Sequence, residues 1–199
     1  LALIKVSIKP KYIYSLKVDE HMKIGDPVLA LGSPGGLGST ATSGIVSSLN
    51  RELLQLGSVI QIDSAINPGN SGGPIVDIDK RVTNIVFAGI EDFEGVNFAI
   101  PSKYLLNKLE KLYLGGEVRH NWIGAGLFEK QKKIEVGYIT PKSPSFYSGL
   151  KKGDMINKIN GLEFKRIRDI QDYFMTFNND DFITLVYERE KKVYEINIK

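Results

Sequence analysis

The sequence predicts a mainly β protein made of two domains, and three observations support this prediction. Short runs rich in Val and Ile, separated by Gly, Pro, Asn and Asp, recur through residues 1–100, as they do in antiparallel barrels and sandwiches. A helical leucine pattern follows and ends at a pair of glycines. The remaining segment mixes strand and helix patterns without repeating the first half, which indicates a small α+β module.

The strand-like runs of the first half come before a single helix. The runs are LALIKVSI, PVLALG, TSGIVSSL, SVIQID, PIVDI, VTNIVFAGI and GVNFAI. The helix is predicted after Pro101, with Ser102 as its N-cap, Gly115-Gly116 as its stop, and one apolar face formed by Leu105, Leu106, Leu109 and Leu112. We therefore place the domains at residues 1–115 and 116–199.

The second domain contains turn signals that predict hairpins. KQKK, residues 130–133, is typical of a solvated hairpin tip, and Asn160-Gly161 is a strong two-residue turn between two predicted strands. KIEVGYIT is a further predicted strand, IRDIQDYFMTF fits a helix, and DFITLVYERE pairs with KKVYEINIK as a last hairpin.

Composition excludes several classes of protein. The chain has no Cys, which removes disulfide, thiol and zinc-finger chemistry, and its net charge of +3 forms no concentrated basic stripe for nucleic acid. No apolar run is long enough for a transmembrane helix. We expect no cofactor and no metal site. The sequence opens on an apolar run without Met or a leader pattern, so we expect it to be the middle of a longer protein.

The segment Gly69-Asn70-Ser71-Gly72-Gly73 has three interpretations. It could be a tight turn without chemistry, since these residues all favour turns. It also fits the nucleophile elbow of an α/β-hydrolase, with Asp92 and His120 following in order. That elbow leads into a helix, whereas a strand pattern follows here. The third interpretation is the nucleophile loop of a trypsin-type protease, in which the amides of Gly69 and Ser71 form an oxyanion hole.

Three long segments carry a resemblance to a known family. GDPVLALGSPGGLGSTATSGIVSSLNR, IQIDSAINPGNSGGPIVD and GVNFAIPS resemble, in order and spacing, the C-terminal half of the protease domain in the HtrA (DegP/DegS/DegQ) family of trypsin-like serine proteases. The rest of the chain resembles the PDZ domain of that family. The resemblance implies the second β-barrel of a chymotrypsin fold followed by a PDZ domain. It implies that Ser71 is the nucleophile, with Gly69 and Asn70 shaping the oxyanion loop.

The resemblance also implies that two catalytic groups are missing. In the family the catalytic His and Asp come before the segment that matches LALIKV, so we expect the isolated chain to be inactive. His21, on a polar stretch, and His120, at the domain junction, are poor substitutes, and Asp26 and Asp63 are better explained as turn or structural carboxylates. The alternative is a peptide-binding module that does not cut.

The resemblance further assigns two binding regions. Ala65, six residues before the nucleophile, would form the floor of the specificity pocket, with Ile66 and the segment Phe87, Ala88, Gly89 and Ile90 as walls. An uncharged pocket would favour small aliphatic residues, although Phe87 could equally be barrel core. In the PDZ domain, the amides of Ile123, Gly124 and Ala125 would bind the C-terminal carboxylate of a peptide.

The family also suggests a biological setting. The expected substrates are unfolded or damaged polypeptides, the expected partners are peptide C-termini, and the full-length protein could be a homo-oligomer. By resemblance, the protein would act in the bacterial cell envelope or periplasm.

Overall fold

The computed structural model describes residues 3–7, 9, 11, 14–17, 21–36, 38–52, 57–89, 93–115, 122–177 and 182–199, apart from the side chains of Ala88 and Asn107. The chain divides into two compact units, Leu1–Val118 and Arg119–Lys199. Each unit has its own hydrophobic core.

The N-terminal unit is a closed antiparallel barrel of six strands. They are β1 Pro27–Gly32, β2 Thr40–Glu52, β3 Ser58–Ile62, β4 Pro74–Val76, β5 Val82–Gly89 and β6 Asn97–Pro101, with a 3₁₀ turn at Pro34–Gly36. Their order is β1-β2-β3-β6-β5-β4, and the pairing of β1 with β4 closes the barrel. Closure leaves no free edge among these strands.

The barrel core follows from alternation along the strands. Each strand sends side chains inward at every second position, and the fully buried residues include Val46, Ile62, Ile75, Val86 and Ala99. Each buried Val or Ile side chain stabilises the fold by about 1.5–3 kcal/mol, and the smaller Ala99 by less. The core therefore fixes the ends of the strands, where the loops begin.

The predicted helix is present as α1, Ser102–Tyr113, but its predicted cap is wrong. Pro101 occupies the N-cap position, and the Ser102 hydroxyl donates instead to the backbone oxygen of Lys17. The predicted stop is confirmed, since Gly115 has φ 75° and its amide donates to the oxygen of Leu112 at 3.1 Å.

The first predicted strand, residues 1–8, is wrong for the part that the structure describes. Residues 3–7 form no strand, and Leu3, Ile4 and Val6 are exposed. An apolar run becomes a strand only when a neighbouring strand completes its hydrogen bonds. No described strand pairs with this segment.

The C-terminal unit is a five-stranded antiparallel sheet with two helices. Its elements are β7 Ala125–Lys130, β8 Lys133–Ile139, α2 Pro144–Tyr147, β9 Met155–Ile159, α3 Ile167–Thr176, β10 Ile183–Arg189 and β11 Lys192–Ile198. The strand order is β11-β10-β9-β8-β7. Strand β7 is thus an edge of the sheet, and α3 begins beside it, with Ile167 N donating to Glu129 Oε1 at 2.9 Å.

Two predicted hairpins are confirmed, and a third is only half correct. Residues 131–132 and 190–191 have positive φ and join β7 to β8 and β10 to β11. Asn160 and Gly161 also have positive φ, but Leu162 forms only a single bridge with Ile159. The backbone amide of Asn160 donates to Thr184 O, and Asn160 Oδ1 accepts from Thr184 N. Strand β9 therefore pairs with β10, and not with a strand that follows the turn.

A buried ion pair connects β10 to the loop before β9. Asp154 is 1% exposed and accepts hydrogen bonds from Arg189 Nε at 2.6 Å and Nη2 at 2.7 Å. It also accepts from Lys151 N at 2.7 Å. The hydrogen bonds that Arg189 donates to Asp154 raise the pKa of Arg189 above its already high ordinary value, so the guanidinium stays charged. Breaking such a pair leaves an uncompensated charge.

We expect Asp154→Asn to lower the free energy of unfolding of the C-terminal unit by about 3 kcal/mol, because the Arg189 guanidinium loses its buried partner. The measurement is urea denaturation followed by fluorescence of Trp122, the single Trp of the chain. The matched control is Glu163→Gln, in the exposed pair with Lys158, which should cost less than about 0.5 kcal/mol. Equal effects of the two variants would contradict the role of Asp154.

Candidate active site and peptide-binding loop

Ser71 lies in the loop that joins β3 to β4. Its side chain is exposed, and its hydroxyl forms no hydrogen bond with any residue that the structure describes. A serine in this position is accessible to a ligand. Without a hydrogen-bonded base it is a weak nucleophile at neutral pH.

The amides around Ser71 alternate between bonded and unbonded. Asn70 N donates to Asn67 O at 3.0 Å, Gly72 N to Val86 O at 2.8 Å, and Gly73 N to Asn70 O at 2.9 Å. Among the described residues, the amides of Gly69 and Ser71 have no acceptor. Two unbonded donors two residues apart, one of them on the serine itself, are the groups that an oxyanion hole requires.

Contacts with the loop after β1 restrict the conformation of this segment. Ser33 N donates to Gly69 O, and Gly35 N donates to Pro68 O, both at 3.3 Å. Gly69 has φ 108°, and a Cβ added there would lie 2.5 Å from Ser33 O. Only glycine therefore fits at position 69.

The side chain of Asn70 is buried next to the loop after β1. A Cβ added to Gly32 would lie 2.2 Å from Asn70 Oδ1. This oxygen has no hydrogen-bond partner in the described part of the chain. Asn70 thus packs against the end of β1 and sets the distance between the two loops.

The residues predicted to line a specificity pocket lie on two neighbouring segments. Ala65 is exposed, its backbone oxygen accepts from Thr42 Oγ1 at 2.9 Å, and Ile66 packs partly buried against the barrel core. Phe87 is 38% exposed on β5, so its alternative interpretation as barrel core is wrong. Gly89 is exposed at the end of the strand. The side chain of Ala88 and the whole of Ile90 lie outside the described residues.

Sequence reasoning missed Asn97, the first residue of β6. Its side chain is buried, its Nδ2 donates to Ser64 O at 2.8 Å, and its Oδ1 lies 2.4 Å from where a Cβ on Gly89 would be. Asn97 therefore connects the segment before Ala65 to the end of β5. A polar amide inside the strand-like run GVNFAI was the signal that could have identified it.

The other acidic and basic candidates have structural roles or lie outside the described residues. Asp26 Oδ2 accepts from Lys23 N at 2.7 Å and fixes a turn, whereas Asp63 Oδ1 accepts from Ile45 N at 2.6 Å and connects the end of β3 to β2. His21 is exposed. His120 and Asp92 lie outside the described residues.

Two kinds of feature are absent from the described residues. No group of three or more His, Asp or Glu side chains there is arranged to hold a metal ion. None of the helices in that same portion is both long and apolar enough to cross a membrane.

In the C-terminal unit, the loop before β7 accepts hydrogen bonds from the segment that follows β8 and from the first turn of α2. Ser145 N donates to Ile123 O at 2.9 Å, Thr140 N to Gly124 O at 2.8 Å, and the Ser143 hydroxyl to Gly124 O at 3.3 Å. The amides of Ile123 and Gly124 have no acceptor within the described ranges. Gly124 has φ 73°, and a Cβ there would lie 2.2 Å from the Ser143 Cβ.

This loop leads directly into the exposed edge of the sheet. Ala125, the third predicted carboxylate-binding residue, is the first residue of β7. An edge strand can accept a peptide as a further strand, and unbonded amides at its start can bind a carboxylate. The loop and the edge thus place two unbonded amides beside an edge strand.

The sequence matches two known domain families. The trypsin-like peptidase domain matches residues 1–85, and the PDZ domain matches residues 121–199. A protein of Chlamydia pneumoniae named "Probable periplasmic serine endoprotease DegP-like" is 33% identical over the whole chain, which covers 44% of that relative. The protein of the same name from Brucella suis is 34% identical, and the chain covers 42% of it. The chain therefore spans less than half the length of these relatives.

Solved structures show the same relationship. The "HtrA-type protease AlgW with decapeptide" is 28% identical with a TM-score of 0.82, over 98% of this chain and 66% of that one. The serine endoprotease from Yersinia pestis is 29% identical with a TM-score of 0.73, over 94% of this chain and 65% of that one. The chain thus combines part of a trypsin-like peptidase domain with a PDZ domain, and it is similar over nearly its whole length to DegP-like and HtrA-type serine proteases.

Proposed function

We propose that this chain is the nucleophile-bearing part of an HtrA-type endopeptidase that cleaves unfolded or damaged polypeptides. The observation that carries this proposal is the exposed Ser71 beside two unbonded amides, its own and that of Gly69. Ser71 Oγ would attack the carbonyl carbon of the scissile bond. The two amides would then donate to the oxyanion of the tetrahedral intermediate.

The base that removes the serine proton is proposed to come from outside residues 1–199. No described residue forms a hydrogen bond with the Ser71 hydroxyl, and the relatives are more than twice as long as the chain. An imidazole and a carboxylate that orients it would be supplied by the rest of the protease. Members of such a triad act together, so the loss of either partner removes most of the rate enhancement.

We expect residues 1–199 alone to show no labelling by a fluorophosphonate, a probe that reacts with activated serines, and no digestion of casein. In a longer version that includes the rest of the protease domain, labelling should appear and be lost in Ser71→Ala. Ser39→Ala, at another exposed serine of the same unit, is the matched control and should retain labelling. Labelling of the isolated chain that disappears in Ser71→Ala would show that a base lies within these residues, with His21 and His120 the histidines to test.

A second candidate function is peptide binding without cleavage. It is favoured by the unbonded amides of Ile123 and Gly124 next to the free edge of β7, since this site needs no group from outside the chain. A longer version that binds peptides but lacks Ser71-dependent labelling would support this alternative.

The specificity pocket is proposed to accept small aliphatic side chains. Ala65 and Ile66 on one side, and Phe87 and Gly89 on the other, provide no charge to pair with Lys or Arg. Asn97 lies between the two segments and occupies space next to Gly89. The proposed pocket is therefore short and uncharged, and one methylene more or less on the substrate would change the binding free energy by about 1–3 kcal/mol.

The cut sites of the longer protease in unfolded casein, mapped by mass spectrometry, should fall mainly after Ala and Val. The physical reason is the absence of a carboxylate in the proposed pocket and the space taken by Asn97. A majority of cuts after Lys or Arg would contradict the assignment of Ala65 and its neighbours to this pocket.

The PDZ domain is proposed to bind peptide C-termini through Ile123, Gly124 and Ala125. Their amides would donate to the carboxylate, and the peptide would extend the sheet along β7. Charge-assisted hydrogen bonds of this kind are about twice as strong as neutral ones. An apolar last side chain would lie against the core formed by residues such as Ile123 and Ile170.

Fluorescence polarisation with a peptide that ends in an apolar residue should show binding that falls at least about tenfold when the C-terminus is amidated, because the charge is removed. Gly124→Ala should abolish binding, since its Cβ would overlap Ser143. Gly153→Ala is the matched control, because Gly153 also has positive φ but faces open space. Equal affinity for the acid and the amide would refute carboxylate binding.

The cellular location and the oligomeric state are also proposed, the location from the names of the relatives. Those of Chlamydia and Brucella are named periplasmic, and we propose that this protein also acts in the bacterial envelope or periplasm. We further propose that the full-length protein is a homo-oligomer, which analytical ultracentrifugation of that protein would test.

A further inference from the structure

The segment that follows β3 contains Ala65, the proposed floor of the specificity pocket. Strand β3 ends at Ile62, and residues 63–65 leave the sheet without entering another strand. Within a strand, the backbone carbonyls would accept hydrogen bonds from the amides of a neighbouring strand. The carbonyls of Ser64 and Ala65 accept hydrogen bonds from side chains instead. Side chains therefore hold the chain at the proposed pocket floor.

The two donors come from the two strands that flank β3 in the barrel, β2 and β6. Asn97 Nδ2, on β6, donates to Ser64 O at 2.8 Å, and Thr42 Oγ1, on β2, donates to Ala65 O at 2.9 Å. Both distances are those of ordinary hydrogen bonds. Thr42 is half-buried, and its hydroxyl bonds to no other described residue. Two consecutive carbonyls are thus held from two different strands.

These two hydrogen bonds restrain the backbone dihedral angles of Ala65. Each peptide unit is planar, so a carbonyl and the amide that follows it move together. The carbonyl of Ser64 belongs to the plane before the Ala65 Cα, and the carbonyl of Ala65 belongs to the plane after it. Rotation about φ or ψ of Ala65 would move one carbonyl relative to the other and break a hydrogen bond. Thr42 and Asn97 together therefore restrain the direction in which the Ala65 side chain points.

Strand β2 also holds the start of this segment. Asp63 Oδ1 accepts from Ile45 N at 2.6 Å, and Asp63 N donates to Ile45 O at 3.3 Å. Gly44 lies so close that an added Cβ would be 2.3 Å from Asp63 Oδ1. Because these contacts do not involve the Thr42 hydroxyl, removing that hydroxyl would release mainly the carbonyl of Ala65.

We propose that Thr42 is a positioning residue for the specificity pocket, which it influences by holding the carbonyl of Ala65. This inference rests on the proposed protease function and adds to it a residue that determines specificity. Thr42 acts through Ala65 and does not touch the substrate. A site discriminates well only when the residues that line it are held in place by a supporting set of contacts. A pocket floor that can tilt would admit a longer side chain.

The test compares Thr42→Val with Thr42→Ser in the longer version that includes the rest of the protease domain. Val keeps the branched shape of Thr but cannot donate a hydrogen bond, whereas Ser keeps the hydroxyl. The measurement is kcat/KM for two peptides that differ only in the residue before the scissile bond, Val or Leu. The ratio of the two values does not depend on the fraction of folded enzyme, so a loss of stability alone would leave this ratio unchanged.

We expect the preference for Val over Leu to fall at least about threefold in Thr42→Val, because one methylene is worth about tenfold or more in a well-formed pocket. Thr42→Ser should retain the preference. Ser43→Ala, at the exposed neighbouring position on β2, is the matched control and should retain it too. An unchanged ratio in Thr42→Val, or an equal fall in Thr42→Val and Thr42→Ser, would overturn the proposal.

A second measurement does not depend on activity. The carbon chemical shifts of Ala65 Cα and Cβ depend on φ and ψ, so NMR of residues 1–199 should show them changed in Thr42→Val and retained in Thr42→Ser. A longer protein without Ser71-dependent labelling would contradict the proposed function alone. Unchanged Ala65 shifts in Thr42→Val would overturn the role of Thr42 whether or not the longer protein is active.

Discussion

The hydrogen bonds that join the Ser71 loop to β5 are the constraint on which the proposed active site depends. Gly72 N and Val86 N bond to Val86 O and Gly73 O, both at 2.8 Å, so the residues after the serine continue the barrel ladder. On the other side, Ser33 N holds Gly69 O. With both ends fixed in this way, the amides of Gly69 and Ser71 have no acceptor among the described residues. Preorganised donors of this kind stabilise developing charge without reorganising during the reaction.

The C-terminal unit also has a loop that is fixed by hydrogen bonds and keeps unbonded amides. The backbone oxygens of Ile123 and Gly124 accept hydrogen bonds from the amides of Ser145 and Thr140. The amides of Ile123 and Gly124 themselves remain available at the start of an edge strand. The buried pair of Asp154 and Arg189 holds the sheet elsewhere. In both units, then, hydrogen bonds to the loop's carbonyl oxygens, or from adjacent amides, fix the loop. Selected amides of the same loop remain unbonded. One such loop is proposed to stabilise an oxyanion, and the other to bind a carboxylate.

Sequence patterns predicted the strands, helices and hairpins well wherever local chemistry determines them. Six of the strand-like runs of the first half form the barrel, and Gly115 ends α1 as expected. The failures depend on distant partners. Residues 3–7 form no strand because no described neighbour pairs with them, and Ser102 bonds to Lys17, which is 85 residues away. Ser71 could be found from its motif. For Asn97 the sequence offered only a polar amide inside a strand-like run, and its role comes from contacts with Ser64 and Gly89 that only the fold brings together.

The central claim is that the Ser71 loop has two unbonded amides, those of Gly69 and Ser71, next to bonded amides at Asn70, Gly72 and Gly73. Hydrogen–deuterium exchange of individual amides, measured by NMR on the chain, tests it most directly. Asn70, Gly72 and Gly73 should exchange slowly because their amides are hydrogen-bonded, whereas Gly69 and Ser71 should exchange rapidly. Rapid exchange at Gly69 and Ser71 alone among residues 69–73 would agree with a preorganised oxyanion loop. Uniformly fast exchange would show that the loop is not fixed, and protection of Gly69 and Ser71 equal to that of Gly72 would show that their amides are already bonded; either result would contradict the claim.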